Sequence, residues 1–442
     1  MKLKLAILLC RALHFVGGLI GKGSSLPGQF ALKVCPDVLG RVKLPERVIA
    51  VTGSNGKTST VEMIASILRK SGKTVICNEE GSNQIEGVTT LILTHATLGG
   101  KVKGDVLLLE SDERYARHSF RHFHPTHFVI TNLYRDQLTR NGHSEWVYDA
   151  ILPAIHKDTT LVLNADDPLV ASFAKGHDKV KWFGLDRCSI STEEHVGLYH
   201  DGARCPICKG KMVYDCYHYE HIGHYRCESC GHHRAETDFA VTALDLDEGK
   251  LTLRGGTEIP LAFRSIYNVY NILAAWSVCS LSGVDEHTIS SVIGNYILKN
   301  GRMVRFTLGK HHGTLLTSKH ENSVAYNTNL GYIRTMGGKC RVLVIVDAIS
   351  RKYFTGETSW LWDINFDLLS GDNVKEIVLC GKYVNDLAMR FDYSSVAPEK
   401  IRCFSAVADA AAYLKENGDE DLYVVTCFSD RDKLLSLTEK EA

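Results

Sequence analysis

"RVIAVTGSNGKTSTVEMIASILRKSG", residues Arg47 to Gly72, is the stretch on which the fold turns. An apolar run, a Gly/Asn/Ser turn and then Met63, Ile64, Ile67 and Leu68 on a helical period read as strand, tight loop and helix. Small or polar residues ahead of Lys57 let backbone N–H groups turn inward on phosphate oxygens, and the following helix offers its positive N-terminus. Lys57 is suited to neutralise terminal phosphates and the Thr58 hydroxyl to ligate Mg²⁺. The predicted cradle is Ser54, Asn55, Gly56, Lys57, Thr58 and Ser59. Val51 stands where the usual Gly-x-x-x-x-Gly-Lys-Ser/Thr loop has its first glycine, so this cradle is one glycine short.

Outward from the loop, "TVICNEE", "GDVLLLESDE", "HFVITNLYRD" and "DTTLVLNADD" are further short apolar runs, most of them ending in polar or acidic residues. The alternation predicts a parallel sheet wrapped by helices, with its chemistry at the carboxyl ends of the strands. A nucleotide site needs negative charge to hold its metal. Glu110, at the end of "DVLLLE", is the predicted Mg²⁺ ligand, and Asp112 and Glu113 beside it read either as helpers or as solvated acids. A second α/β series, "RVLVIVDAIS", "EIVLCGKYVNDLAMRF" and "DLYVVTCFSDRDKLLSL", is long enough for a separate domain.

The totals exclude several classes. The 442 residues predict two or three domains, and 51 Lys plus Arg against 51 Asp plus Glu leave no global field to attract nucleic acid. Fourteen cysteines are too sparse for a disulfide scaffold, and several lie in apolar runs, which points to a reducing cytoplasm. "MKLKLAILLCRALHFVGGLIG" has a basic start and an apolar middle, but Arg11 and His14 interrupt it. It reads as an amphipathic helix that packs on the body of the protein, with contact at a membrane surface as the alternative.

Between about Ser189 and Glu236 the alternation breaks. Cys205-x-x-Cys208 and, after eighteen residues, Cys227-x-x-Cys230 form two knuckles whose four thiolates can close a tetrahedral shell of the structural zinc type. Cys216, His218, His221 and His224 could compete as ligands, but their spacing does not repeat a knuckle and they read as surface residues. Zinc ribbons often bind nucleic acid, but this one carries only Lys209, Lys211, Arg226 and Arg234, so a scaffold is expected and nucleic acid is not. His118, His122, His124 and His127 lack an interleaved acid or cysteine and read as surface and loop histidines.

These motifs resemble the Mur ligases. The short loop, Glu110, "TNLYRDQ" at Thr131 to Gln137, "NADDP" at Asn164 to Pro168, "YNVYNILAA" at Tyr267 to Ala275 and Gly301-Arg302 occur in that family's order, from about Val48 to the end of the chain. The resemblance implies a Mur-ligase-like P-loop ATPase domain of α/β class with an inserted zinc ribbon, followed by a smaller α/β domain. It implies transfer of the ATP γ-phosphate to a carboxylate and attack by an amine on the acyl phosphate. Lys57 and Thr58 would hold phosphates and Mg²⁺, Glu110 the metal, Asn268 or Asn271 the adenine region and Arg302 the ribose or phosphates. Gln137 departs from the histidine usual in the family.

The inserted ribbon is similar to the MurT branch, the synthetase subunit of lipid II isoglutaminyl synthase, as are "GKGSSLPGQFALKVCPDVL" and "SWLWDINFD". That branch is expected to amidate the D-glutamate α-carboxylate of the lipid II stem peptide at the inner membrane face, using ammonia from a GatD-type glutaminase with a Cys-His pair. Asp363, beside Trp360 and Trp362 on an exposed-looking turn, would complete a Cys-His-Asp triad across the interface. Lys319 reads either as a residue near the substrate or as a solvated lysine. The expected domains are a lead over 1–45, the ATPase domain over 46–300 with its ribbon at about 200–236, and the C-terminal domain over 301–442. An amino-acid-adding Mur or folylpolyglutamate-type ligase, a nucleic-acid ATPase and a non-catalytic scaffold are the alternatives.

Overall fold

The computed structural model describes residues 1–19, 23–78, 82–135, 142–195, 198–261, 264–296, 303–349 and 356–440. Gln137, Gly301 and Arg302 lie outside them. The chain divides into two units, Met1–Tyr134 with Ser144–Ile297, and Arg135–His143 with Leu298–Ala442.

The first unit is built on β1 (Arg47–Thr52), β2 (Val75–Cys77), β3 (Val106–Glu110), β4 (His127–Ile130), β5 (Thr160–Asn164) and β6 (Val180–Leu185). The sheet order is β11-β10-β9-β6-β5-β4-β1-β3-β2, where β9 is Phe239–Asp245, β10 Lys250–Leu253 and β11 Glu258–Pro260. Pairing is parallel from β2 across to β9 and antiparallel between β9, β10 and β11. All of Val106–Glu110 is buried, as expected of a parallel strand covered on both faces. On the helix Lys57–Lys70, Val61, Ile64 and Leu68 follow the i, i+3, i+7 spacing of one face and are buried, with Met63, Ala65 and Ile67 covered beside them.

The lead helix α1 (Lys2–Gly18) buries Ala6, Ile7 and Cys10 in the same core as α2 (Leu26–Val34), which contributes Ala31. The cysteine-rich segment expected to be a ribbon is an insertion between the neighbouring strands β6 and β9. Its hairpin pairs β7 (Met212–Tyr219) with β8 (Ile222–Cys227) antiparallel.

The second unit has sheet order β16-β15-β14-β17-β13-β12-β18, with β12 Met303–Leu308, β13 His311–Ser318, β14 Cys340–Ile345, β15 Val374–Cys380, β16 Ile401–Phe404, β17 Asp421–Cys427 and β18 Glu439–Lys440. The pairs from β16 to β13 are parallel and β12 is antiparallel to both of its neighbours. At the amino end of this sheet Arg341 pairs with Glu376 and, at 2.9 Å, with Glu420, which Lys375 also engages.

Burial alone would raise the Glu420 carboxyl, but hydrogen bonds from Lys375 and Arg341 hold it down at about 2, against an ordinary 4.5. A depressed carboxyl stabilises the fold fully above its unfolded value and loses that contribution as pH falls toward the folded one. Thermal midpoints should therefore drop between pH 4.5 and about 2, and Glu420→Gln should flatten that dependence in melts followed by circular dichroism.

Candidate active site

β1 runs through Val51, which is fully buried in the strand, so the chain turns only at Gly53. Gly53 (φ 134°) and Gly56 (φ 83°) hold backbone conformations that side chains rarely adopt. Space excludes side chains there as well: a Cβ on Gly53 would lie 2.2 Å from Thr131 Oγ1, and one on Gly56 would lie 1.9 Å from Asn271 Oδ1. The helix Lys57–Lys70 begins behind Gly56, a cap residue with no side chain to occupy the first-turn N–H groups. Thr58 and Ser59 are its next residues, Thr58 half-buried and Ser59 buried. These features fit a bound phosphate.

Lys57 is buried, and its Nζ donates to Gly53 O, to Ser54 O at 3.4 Å and to Glu113 Oε1. Parallel register places Glu110 opposite Val51 at the end of β3. Its backbone is clamped by Asn78, whose Oδ1 accepts from Glu110 N at 2.7 Å and whose Nδ2 donates to Glu110 O at 2.9 Å. Glu110, Asp112 and Glu113 are all at most 6% exposed, so the solvated reading of the last two is overturned. Glu113, read from the sequence as either a helper or a solvated acid, is the carboxylate that pairs with Lys57. A buried carboxylate demands a compensating cation, which suits this end of the sheet to a phosphate accompanied by a metal.

The loop's shape is set by the segment after β4. Asn132 O accepts from Ser54 N at 2.9 Å, Asn132 Oδ1 accepts from Asn55 N at 2.8 Å, and Thr131 Oγ1 donates to Asn55 O at 2.9 Å. Ser54 Oγ accepts from Tyr134 N at 2.9 Å and donates to Tyr134 O at 3.2 Å. The Tyr134 hydroxyl then hydrogen bonds to the hydroxyl of Tyr219 at the tip of the ribbon hairpin. Tyr219 lies 4.5 Å from Tyr267 and 5.6 Å from Tyr270 between ring centres, both on α3 (Ile266–Leu281). Tyr270 donates to Asp166 Oδ2 at 2.7 Å. On the same helix Asn268 is buried, and Asn271 is the residue that closes on Gly56.

Within the ribbon, Cys205 Sγ lies 3.6 Å from Cys230 Sγ and Cys208 Sγ 3.5 Å from Cys227 Sγ. All four sulfurs fall within 4.8 Å of one another, and no disulfide joins any pair of the described cysteines. A zinc tetrahedron with ~2.3 Å bonds sets its sulfurs ~3.8 Å apart. Backbone N–H groups of Gly210 and Ser229 point at Cys208 and Cys227 sulfurs, each at 3.4 Å. The donor set therefore fits a four-cysteine zinc site.

Cys216, His218 and His221 are buried, against the surface reading. Both His218 and His224 reach Leu185 O through Nε2, at 3.1 and 2.9 Å, so these residues fasten the hairpin to the end of β6. Among the described residues His118, His122, His124 and His127 do not gather a donor set among themselves; His124 lies with His156 and Asp158 in a largely exposed group of three donor side chains, its ring stacked on His156 at 3.9 Å.

In the second unit Asp363 ends the short helix Ser359–Asp363. Asp363, Trp360 and Leu361 are buried while Ser359 and Trp362 are exposed, so the turn is less open than its sequence suggests. Trp360 packs 5.2 Å from Tyr326, and the Arg390 guanidinium lies 5.7 Å over Trp362. Lys319 is half-buried just past the end of β13. The carboxyl edge of this sheet also holds a cluster that sequence reading missed. Fully buried Asp430 accepts from Asp347 N at 3.0 Å and Ala348 N at 2.9 Å, and Lys433 bridges Asp430 and Asp347.

Residues 51–279 match the Mur ligase middle domain family, and residues 320–430 match the MurT ligase C-terminal family. The chain is 30% identical over 436 residues to the MurT subunit of the glutamine-hydrolysing lipid II isoglutaminyl synthase of Streptococcus pneumoniae, covering 97% of this chain and 95% of that one.

The chain belongs to the MurT family. The Staphylococcus aureus MurT subunit is 30% identical over 383 residues, 85% of this chain and 84% of that one. Among solved structures, a pseudomurein peptide ligase type C from Methanothermus fervidus superposes with TM-score 0.70 at 20% identity, over 91% of this chain and 80% of that one. MurF from Acinetobacter baumannii follows at TM-score 0.64 and 16% identity, over 92% and 80%. These likenesses show the Mur-ligase α/β fold. The shared motifs from the short loop to Tyr267–Ala275 lie within the middle-domain match, Gly301-Arg302 lies between the two matches, and Asp363 lies in the MurT C-terminal match.

Proposed function

We propose that this MurT-family chain is the synthetase subunit of a lipid II isoglutaminyl synthase, working on the cytoplasmic side of the membrane with a GatD-type glutaminase subunit. The match to the Streptococcus pneumoniae subunit over 97% of the chain carries this reading, because it spans both the ATPase motifs and the C-terminal domain. The division of labour follows the predicted domains, with the ATPase over 46–300 and the MurT-type domain over 301–442.

In this reading the D-glutamate α-carboxylate of the stem peptide attacks the γ-phosphorus of ATP and ADP leaves. Ammonia from the partner attacks the acyl carbon of the resulting acyl phosphate. Inorganic phosphate departs, a proton is lost and D-isoglutamine remains. Ser54 to Ser59 form the cradle, with backbone N–H groups of Gly56 to Ser59 lining the phosphates while those of Ser54 and Asn55 are held by Asn132, and Lys57 exchanges Glu113 and its own loop carbonyls for phosphoryl oxygens. Glu113 is then free to face the metal or the nucleophile. Thr58 and Glu110 are the residues to hold Mg²⁺, which neutralises charge on the transferring group when bound. Asn268 and Asn271 border the adenine region and Arg302 the ribose or phosphates.

Asp363 serves the partner: a carboxylate held among aromatics orients the histidine of an incoming Cys-His pair. The cysteine module is a zinc ribbon that braces the nucleotide loop through Tyr219 and Tyr134.

Lys57→Ala should reduce amidation and ADP release by about a thousandfold or more in assays with ammonia, lipid II and the partner subunit, with the folded circular dichroism spectrum retained at the assay temperature. ADP formation retained at wild-type rate, or amidation equalled when free amino acids replace ammonia, would sink the assignment. Asp363→Asn should abolish glutamine-driven turnover and leave ammonia-driven turnover intact; equal loss of both would place Asp363 elsewhere. Elemental analysis should find one zinc per chain, absent after Cys208→Ser and Cys230→Ser together, with ATP affinity lowered several-fold in that variant.

A further inference from the structure

Helix α1 is apolar on two opposite faces. At about 100° per residue, Ala6, Cys10 and Gly17 turn into the core, while Leu5, Leu8, Phe15, Val16 and Leu19, which follows the last helical residue, fall within an arc of about 100° on the far side. That outer arc is open to solvent: Phe15 is 75% exposed, Leu19 78%, Leu5 56%, Val16 55% and Leu8 52%. On α2, Leu26 and Phe30 are likewise exposed at 40% and 39%, one turn apart, with the Lys33 ammonium 5.3 Å from the Phe30 ring centre. A folded surface seldom leaves several large side chains of one stripe uncovered without an occupant.

The charge around the stripe selects the occupant. No aspartate or glutamate occurs before Asp37, whereas Lys2 and Lys4 stand exposed on either side of the arc. Asp37 itself is neutralised by Arg41 at 2.6 Å. Among the described residues no helix is long and apolar enough to cross a membrane. An apolar stripe flanked by lysines and free of acids, on a helix that cannot span, is the pattern of a segment lying in the interface of an anionic bilayer.

We propose that the outer face of α1, extended by Leu26, Phe30 and Lys33, docks this protein onto the anionic lipid surface that carries its substrate. The inference rests on the reading of that substrate as a lipid-linked peptide, and its test separates the two. Full-length protein bound to its partner subunit should co-sediment with vesicles of phosphatidylcholine containing phosphatidylglycerol and only weakly with phosphatidylcholine alone. Phe15→Glu with Leu19→Glu should lower the vesicle partition coefficient by about tenfold or more, and Lys2→Gln with Lys4→Gln several-fold, with the latter loss mimicked by high salt. Both side-chain pairs are exposed, so the melting profile should not move.

The same Glu variant should slow amidation of lipid II embedded in vesicles while leaving a water-soluble short-prenyl analogue unaffected. Vesicle binding that persists in the Phe15→Glu, Leu19→Glu protein overturns the proposal, as does absence of binding by the parent. Protection of residues 1–19 from hydrogen exchange by the partner subunit or by a second copy, without lipid, overturns it too. Failure to amidate either substrate would instead refute the functional reading and leave the vesicle result standing.

Discussion

A single buried carboxylate ties the first unit together. Asp166 has no exposed surface, and it accepts from Arg234 Nε at 2.6 Å, Tyr270 OH at 2.7 Å and Leu185 N at 2.7 Å, while its backbone carbonyl accepts from Gly223 N at 2.9 Å. Those donors come from the exit of the ribbon, the helix that closes on the nucleotide loop, the end of β6 and the hairpin. A charge taken out of water is tolerable only when hydrogen bonds and an opposite charge replace its hydration, so the four elements are held to one geometry. Asp167 extends the constraint, accepting from Leu133 N at 2.9 Å and capping the short helix that starts at Pro168. Leu133 lies in the segment that cradles Ser54 and Asn55. The ribbon is thus part of the wall that shapes the phosphate loop, although its cysteines sit away from that wall.

The loop itself is stocked with mutually compensating charges. Lys57 rests on Glu113 and on carbonyl oxygens of its own turn, which keeps a buried ammonium and a buried carboxylate satisfied. A phosphate entering the cradle offers Lys57 a stronger partner and leaves a carboxylate that must find a cation. In the proposed function nucleotide and metal would thereby be coupled electrostatically, since each removes the cost the other would create.

The second unit repeats the logic of its sheet with different chemistry. Its carboxyl edge carries Asp347, Asp430 and Lys433, bound tightly enough to one another that they brace the strand ends. Asp363 stands apart from them on its short helix, buried next to Trp360 and near the Arg390 guanidinium that covers Trp362.

Much of this was legible in residue order. Hydrophobic runs, the helical period after Lys57 and acids at strand ends are local signals, and each depends only on neighbours along the chain. That is why the parallel strands, the phosphate loop and the knuckle spacing of the four cysteines could be read directly. What could not be read was which polar groups face inward. Cys216, His218, His221, Asp112, Glu113 and Asp363 look like surface residues in sequence and are buried in the fold, because their partners lie tens to hundreds of positions away. The pairing of Lys57 with Glu113, the Tyr134–Tyr219 link and the second apolar face of α1 likewise arose only once the strands were ordered. Local propensity determined the elements, their chemistry and the family; long-range packing decided which charges are desolvated together, and that is a property of three-dimensional proximity alone.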